Sequence, residues 1–492
     1  MADIESRSPA SGEVLGSVAR AGAAEVQAAV DAARIVQPLW AAVPARARAH
    51  YLRRAAQAVL DELDRLARLI ARETGRPRSE ALLAELLPSV SALHALADDG
   101  PRALADQRLG RATLLRAGRR AVLVQAPAGV VGVCGRDESP WAEPVAESAA
   151  SLLAGNAVLL APAAPLVGER IAAAFLRAGV PGELIALLHG ADLGGLDRVV
   201  DVGDAAKATM LVLDGAPLDA TVAGALWAAF AGAGRHPAAV GRLVVAPGPA
   251  DALLQRLVSE AQRLRVGDPL HADTEVGPLA SHADLEAVER LVAEAEAGGA
   301  ERLCGGPLIL PGLDGAFCAP IVLRGVPADA RLLREMPPGP VLAVVEAGSD
   351  AEAIQLAAGH AGAPVSVWTH DRDYGERVAR TLGAELTWVN EHGQSVPSVP
   401  VRLARHTDPQ RLASQPARVR SARWLPYDPA LVSARTAAAR LLHGRESERL
   451  AAVREGALPV ARVALRAARA AAQRPNRSGS NGARSTDDGS PQ

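Results

Sequence analysis

The residues of this sequence that could do chemistry fall in a few short stretches. His236, in Gly234-Arg235-His236-Pro237, could give or take a proton near neutral pH. It has no cysteine beside it to activate, so a packed histidine is the plainer reading. Cys134 ends an apolar run, where a thiol could meet a ligand at the carboxyl edge of an open sheet. A buried structural thiol explains it with fewer assumptions. Asp137, Glu138 and Asp204 could form an acidic cluster. Solvated carboxylates are the default, however, and with no His-rich spacing no metal site is expected. Cys134, Cys304 and Cys318 have no CxxC spacing, which argues against zinc and against a disulfide framework and fits a reducing cytoplasm. One lysine, Lys207, stands among 53 Lys and Arg, so an imine mechanism could use only its amine or the amino terminus. Gly129, Gly132 and Gly135 are a weak phosphate-binding pattern and read better as tight strand packing.

The elements that must position these groups follow from hydrophobic period. Apolar residues at helical spacing predict helices over 25–33 and 46–74, the second stopped by Gly75 and Pro77. Two strands flanking Ala117-Gly118-Arg119-Arg120 predict a hairpin. From Gly129 onward, apolar runs at 130–133, 158–160, 184–188 and 211–213 alternate with helices at 142–153 and 168–178. That alternation is the pattern of βαβ units around a parallel sheet. A second block repeats it, with strands at 243–245, 341–345, 366–369 and 386–390. Its helices are at 250–263, 283–297, 351–358 and 373–382. Residues 434–442 and 447–469 read as helical, and 473–492 as a disordered tail.

Bulk properties narrow the class. With 492 residues, 49% of them hydrophobic and 22% charged, the chain is long enough for more than one domain and a large core. A net charge of −2 gives no global pull toward nucleic acid or an anionic membrane. The longest uncharged run, 148–168, is interrupted by Gly155, Asn156, Pro162 and Pro165 and reads as a buried helix-turn-strand.

From about Ser8 to Asn390 the sequence resembles the NAD(P)-dependent aldehyde dehydrogenase superfamily. The resemblance rests on SPASGEVLGSV, PAGVVGVC (127–134), LLAGNAVLLAP (152–162) and AGVPGELIALLHG (178–190). It continues through GDP (267–269), the 277–300 helix segment, GAFCAPIVL (315–323), GPVLAVV (339–345), EAIQLAA (352–358), SVWTHD (366–371) and WVN (388–390). It implies an α/β fold: a doubly wound cofactor-type domain (1–108 and 126–204), a second α/β catalytic-type domain (205–400) and an oligomerisation hairpin (109–125). An arm or return segment (401–425), a C-terminal helical extension (426–472) and the tail would complete the chain.

The resemblance also implies a cysteine thiolate that attacks an aldehyde and an asparagine that helps hold the oxyanion. Hydride then moves to NAD(P), and a glutamate activates the hydrolytic water. A lysine and another glutamate hold the adenosine ribose. In this sequence Pro237 takes the nucleophile's place and Glu138 that of the oxyanion asparagine. Gly203, or Asp204 after a one-residue slip, takes the general base's place. Ala161 stands for the ribose lysine, and Met336 for the ribose glutamate with Glu335 one residue off. Lys207 and Arg242 keep expected basic positions. A carboxylate at the oxyanion position would repel the developing charge, and losing one oxyanion donor costs roughly 100- to 1,000-fold. No catalytic residue and no confident cofactor ligand therefore remain.

The expectation is a cytoplasmic, non-catalytic member of the family, a pseudoenzyme. It would bind neither nucleic acid nor membrane, and no cofactor unless NAD or NADP. It would act as a structural or regulatory subunit in a homo- or hetero-oligomer with an active homologue. Two alternatives stay open: an oxidoreductase using NAD(P) through an altered site with Cys134, His236 or Asp204, and a non-catalytic small-molecule binding module.

Overall fold

The computed structural model describes residues 3–109, 120–201, 207–236, 238–327, 330–335, 337–358, 363–384, 386–393, 398–414, 426–449, 451–454, 456, 458, 461, 462 and 465. The chain divides into two units. The first unit, residues 1–105 and 125–408, contains both predicted parallel sheets.

Four short apolar strands build the smaller sheet, in the order Ile185–Leu187, Ala157–Ala161, Val130–Cys134, Arg198–Asp201, all parallel. Val130, Val131, Val133, Val158, Leu159 and Leu160 are fully buried, as expected of strands covered on both faces. Helix Ala142–Ala154 is buried at every position but Glu143. Gly132 confirms the packing reading of its glycine series: a Cβ there would come within 2.9 Å of Leu196. The strand order reverses between Val130–Cys134 and Arg198–Asp201, so the switch-point crevice lies at the ends of these two strands.

The larger sheet has seven strands, in the order Glu301–Leu308, Phe317–Arg324, Val341–Glu346, Val240–Val245, Ala208–Val212, Val365–Trp368, Thr387–Val389. Only the Glu301–Leu308 edge strand runs antiparallel to its neighbour. Pro320 lies inside the second strand, where it removes a ladder donor. Opposite it the partner bulges at Gly305, at φ +84, where a Cβ would clash with the Pro320 carbonyl at 2.0 Å.

The predicted 46–74 helix is two helices, Ala45–Asp61 and Leu63–Thr74, because Glu62 leaves the helical region at φ −116, ψ 16. The break lets Leu66 and Ile70 of the second helix reach the core. Gly75 ends that helix in a left-handed cap, as its sequence position suggests. Helix 78–103 was not foreseen. It passes through a π-helical turn at Ala81–Leu86 immediately before Pro88, which absorbs the proline's missing donor. By length and composition this run could cross a bilayer, but 61% of its most apolar window is buried inside the protein.

The second unit comprises 106–124 and 409–492. Most of a three-stranded sheet formed by Thr407–Ser414, Arg120–Pro127 and Gln107–Arg108 falls in this unit, as does helix Pro429–His443. The tip of the expected hairpin and the 473–492 tail lie outside the described residues.

Candidate functional site

The topology of the larger sheet decides what meets at its amino-terminal edge. Strands Ala208–Val212, Val240–Val245 and Val341–Glu346 are neighbours and parallel. The residues just before each strand therefore converge: Lys207, the 231–239 loop, and Gly339. The loop needs unusual backbone. Gly232, Ala233 and Gly234 have φ of 59°, 54° and 75°, and Ala238 has 61°. A Cβ on Gly234 would sit 2.3 Å from the Gly339 carbonyl oxygen, so only glycine allows this approach. The Lys207 ammonium donates to that same carbonyl at 3.4 Å. Burial lowers the Lys207 pKa to about 7.

A buried ion network joins this loop to the expected oxyanion segment. Arg76, 1% exposed, donates through Nη1 to Glu80 at 2.6 Å. Its Nη2 donates to the carbonyls of Asp137 at 3.0 Å and Glu138 at 2.6 Å. The other Glu80 oxygen accepts from the Gly232 amide at 2.7 Å. Glu85 lies with Oε1 3.9 Å from Arg76 Nε, and its Oε2 accepts from the amides of Trp141 at 3.1 Å and Ala142 at 2.7 Å. It thereby holds a carboxylate at the start of helix Ala142–Ala154. Burial pushes the Glu85 carboxyl up, against the pull of Arg76. Burial also penalises the Arg76 charge, but Glu80 and Glu85 outweigh it and raise its pKa. The Arg76 guanidinium thus fills the space between two segments that the sequence placed at one site.

On the other side of the loop is a ring cluster. His236 is buried edge-on to Trp227, with centroids 4.9 Å apart. His392 lies 4.6 Å from Trp388 and 6.2 Å from Trp227. Its Nε2 meets the Ala238 carbonyl at 2.9 Å and must donate, so Nδ1 accepts from the Ser366 hydroxyl at 3.2 Å. Burial lowers the His392 pKa to about 4 despite the Ala238 hydrogen bond. The folded value lies below the unfolded one, so the neutral ring contributes stability above about pH 6.5. That contribution is lost as pH falls from about 6.5 through about 4. The shift corresponds to about 3 kcal/mol. Urea unfolding at pH 7 and pH 4 should show His392→Gln losing less stability over this interval than the parent. Equal losses would place the acid sensitivity elsewhere.

A cavity of about 370 Å³ borders the loop, lined by Glu80, Leu83, Leu226, Trp227, Phe230 and Ala231 among others.

Cys134 lies apart from the loop, on the smaller sheet beside Ala161 and Asp201. Burial and the Asp201 carboxylate raise its pKa, against Arg136, so the thiol is favoured over the nucleophilic thiolate. Cys304 and Cys318 are unpaired, on the edge strand Glu301–Leu308 of the larger sheet and on its neighbour Phe317–Arg324, and burial raises both, Cys318 to about 12. The Glu138 carbonyl, rather than its carboxylate, is what the Arg76 network uses. Arg242 donates to Thr209 Oγ1 and the Leu356 carbonyl, which makes it a packing residue of the sheet. Pro237, Gly203, Asp204 and Met336 lie outside the described residues, and no group of three or more metal-ligating side chains occurs among those described.

At the switch-point crevice Ala161, the expected ribose position, is the last residue of strand Ala157–Ala161. Ala161 offers a ribose hydroxyl only a methyl group. Arg136 spans the crevice in a two-pronged pair with Asp201, at 2.8 and 2.7 Å. Glu335, the shifted ribose candidate, is paired with Arg331 through both oxygens at 2.8 Å.

Arg76, Glu80, Glu85 and His392 escaped the sequence reading. A weak signal was present: Arg76-x₃-Glu80 places opposite charges four residues apart, just ahead of the apolar run that begins at Ala81.

The fold has clear counterparts. An aldehyde dehydrogenase family model matches residues 1–201 and 200–402. The solved structure of a putative aldehyde dehydrogenase from Burkholderia cenocepacia is 27% identical at a TM-score of 0.78, over 85% of this chain and 96% of that one. An E. coli NADP dependent enzyme is 25% identical at 0.76, over 84% and 95%. PnpE from Pseudomonas sp. WBC-3, solved with nicotinamide adenine dinucleotide, has the same fold at 23% identity and a TM-score of 0.79, over 86% and 96%. The α/β architecture, the order of the motifs and the family match agree, and the chain belongs to the aldehyde dehydrogenase family.

Proposed function

We propose that this chain does not run the family's covalent oxidation and serves as a structural or regulatory subunit beside an active homologue. The observation that carries the reading is chemical: the loop that should present a thiolate reads Gly-Arg-His-Pro, and an imino acid cannot form a thioester. The raised pKa values of Cys134, Cys304 and Cys318 support it, because none offers a ready thiolate as a substitute. Ala161 and the Arg136–Asp201 pair favour a chain without a dinucleotide, with NAD or NADP the one to test. Unpaired cysteines fit a reducing cytoplasm. The hairpin at 109–125 is the proposed oligomerisation element, between a cofactor-type part (1–108, 126–204) and a catalytic-type part (205–400).

The test is direct. The purified chain, given acetaldehyde or a longer-chain aldehyde with NAD or NADP, should produce no reduced cofactor above the buffer rate. Pro237→Cys alone should stay inactive, because Glu138 still opposes an oxyanion. Turnover by the parent chain refutes the reading. Calorimetric titration with NAD and NADP should give no heat. Mixing with a cysteine-bearing homologue from the same source should yield a mixed oligomer by mass, and its failure to form would remove the subunit role.

A further inference from the structure

A second cavity, of about 940 Å³, lies in the first unit, and none of its lining residues belongs to the switch-point strands or to the 231–239 loop. Helix Leu63–Thr74 gives it Arg65, Arg68 and Arg72, which at i, i+3 and i+7 share one helix face. Arg78 follows in the next helical turn, and Arg170 comes from helix Pro165–Arg177. The whole chain is nearly balanced, with 53 Lys and Arg against 55 Asp and Glu. In this cavity five arginines face two carboxylates, Glu13 and Asp64, which leaves a surplus of three positive charges. The carboxylates are already engaged. Asp64 accepts from Arg68 at 3.0 Å and pairs with Arg78 as well, and Glu13 lies 3.4 Å from Arg72. Arg65 and Arg170 have neither an ion pair nor a side-chain hydrogen bond among the described residues. Like charges three and four residues apart on a helix repel, so the Arg65, Arg68 and Arg72 row has a cost that a bound anion would remove.

We propose that this cavity binds a small polyphosphorylated molecule, with Arg65 and Arg170 as the cations free to receive it. Each guanidinium presents a planar fork of donors that matches two oxygens of a phosphate group. Arg68, Arg72 and Arg78 can exchange their carboxylate partners for further phosphate oxygens, because exposed ion pairs hold one another weakly. A triphosphate carries enough charge to meet the surplus, whereas orthophosphate does not. The volume is that of a small-molecule site, and its concave shape suits a compact ligand better than a protein face. Leu66, Leu69 and Leu270 complete the wall and offer apolar surface to a nucleoside, so the phosphate chain could belong to a nucleotide or to an inorganic polyphosphate.

The proposal goes beyond the subunit reading. That reading is tested by reduced cofactor and by a mixed oligomer, and this one by heat from a phosphate compound, so each fails alone. The full chain is titrated calorimetrically with inorganic tripolyphosphate at low salt. Orthophosphate should bind at least roughly tenfold more weakly, and added salt should weaken both. Arg65→Glu combined with Arg170→Glu should weaken tripolyphosphate binding roughly a hundredfold, and because neither residue holds a partner the fold should be unaffected. Arg372→Glu combined with Arg380→Glu changes the net charge equally on an exposed helix elsewhere and should leave binding unchanged. ATP identifies the source: tighter binding than tripolyphosphate assigns a nucleotide, and weaker binding an inorganic polyphosphate. The proposal is overturned by absence of heat, by equal affinity for tripolyphosphate and orthophosphate, or by an equal loss in the two double variants. An oligoglutamate peptide that binds more tightly than either phosphate compound also overturns it, in favour of an acidic protein segment.

Discussion

Arg76→Ala should lower stability by about 3–5 kcal/mol, among the largest losses any single substitution in this chain can produce. The reason is the charge left behind. Arg76 is the buried cation that faces Glu80 at 2.6 Å and Glu85 at 3.9 Å, and the two carboxylates are 8% and 0% exposed. Without it, both keep backbone amide donors but lose this cation, so they stay ionised at a cost or take up protons on folding, and the Asp137 and Glu138 carbonyls lose their donor. Arg76→Lys keeps the charge but not the fork that reaches a carboxylate and two carbonyls at once, so it should fall between the parent and the alanine variant. A triple variant, Arg76→Met with Glu80→Gln and Glu85→Gln, removes the charges together and should recover part of the loss. Urea denaturation followed by tryptophan fluorescence ranks the four proteins. An alanine variant with the parent's midpoint would mean that water reaches the network.

This network shows why the fold was more legible than the site. Val130–Cys134 and Ala157–Ala161 are continuous apolar runs because parallel strands are covered on both faces, and such runs are plain in sequence. Glu301–Leu308 hides, since an edge strand can carry Glu301, Arg302, Gly305 and Gly306 without harm. Arg198–Asp201 hides because it is four residues long and its ends serve ion pairs. Helix 78–103 is disguised by Pro88, Gly100 and Pro101. At the site, counting along motifs gives Pro237 and Glu138 only as expected positions, and Pro237 lies outside the described residues. Contacts that depend on tertiary proximity could not be given by counting at all: Glu80 meets Gly232 across 152 residues, and His392 meets Ala238 across 154. What the counting missed is that the oxyanion segment and the loop are locked together by a cation, which rigidifies the region.

A second buried network should show how the divergent segment after Asn390 is fixed. Glu147, 0% exposed on helix Ala142–Ala154, accepts from Arg402 at 2.6 Å, Arg405 at 3.0 Å and His406 at 2.6 Å. Arg402 also reaches Glu143 at 2.8 Å. Glu147→Ala should cost about 3 kcal/mol, the lower end for a broken buried pair, because Arg402 keeps Glu143 as a partner. Removing Glu143 as well strands Arg402, so the double variant should lose more than the sum of the single losses. The pH dependence has a defined sign. Burial raises the Glu147 carboxyl, but the His406 hydrogen bond and the charges of Arg402, His406 and Arg405 together hold it below the ordinary value. Its stabilising effect is therefore present above the unfolded carboxylate pKa and is lost as pH falls through the lower folded value. Glu147→Gln should flatten that acid limb while leaving the His392 transition near pH 4–6.5 in place. Limited proteolysis gives an independent readout: the 399–408 segment should be cut faster in the alanine variant. Unchanged cleavage together with an unchanged acid limb would show that the helix and the segment hold their places without the carboxylate.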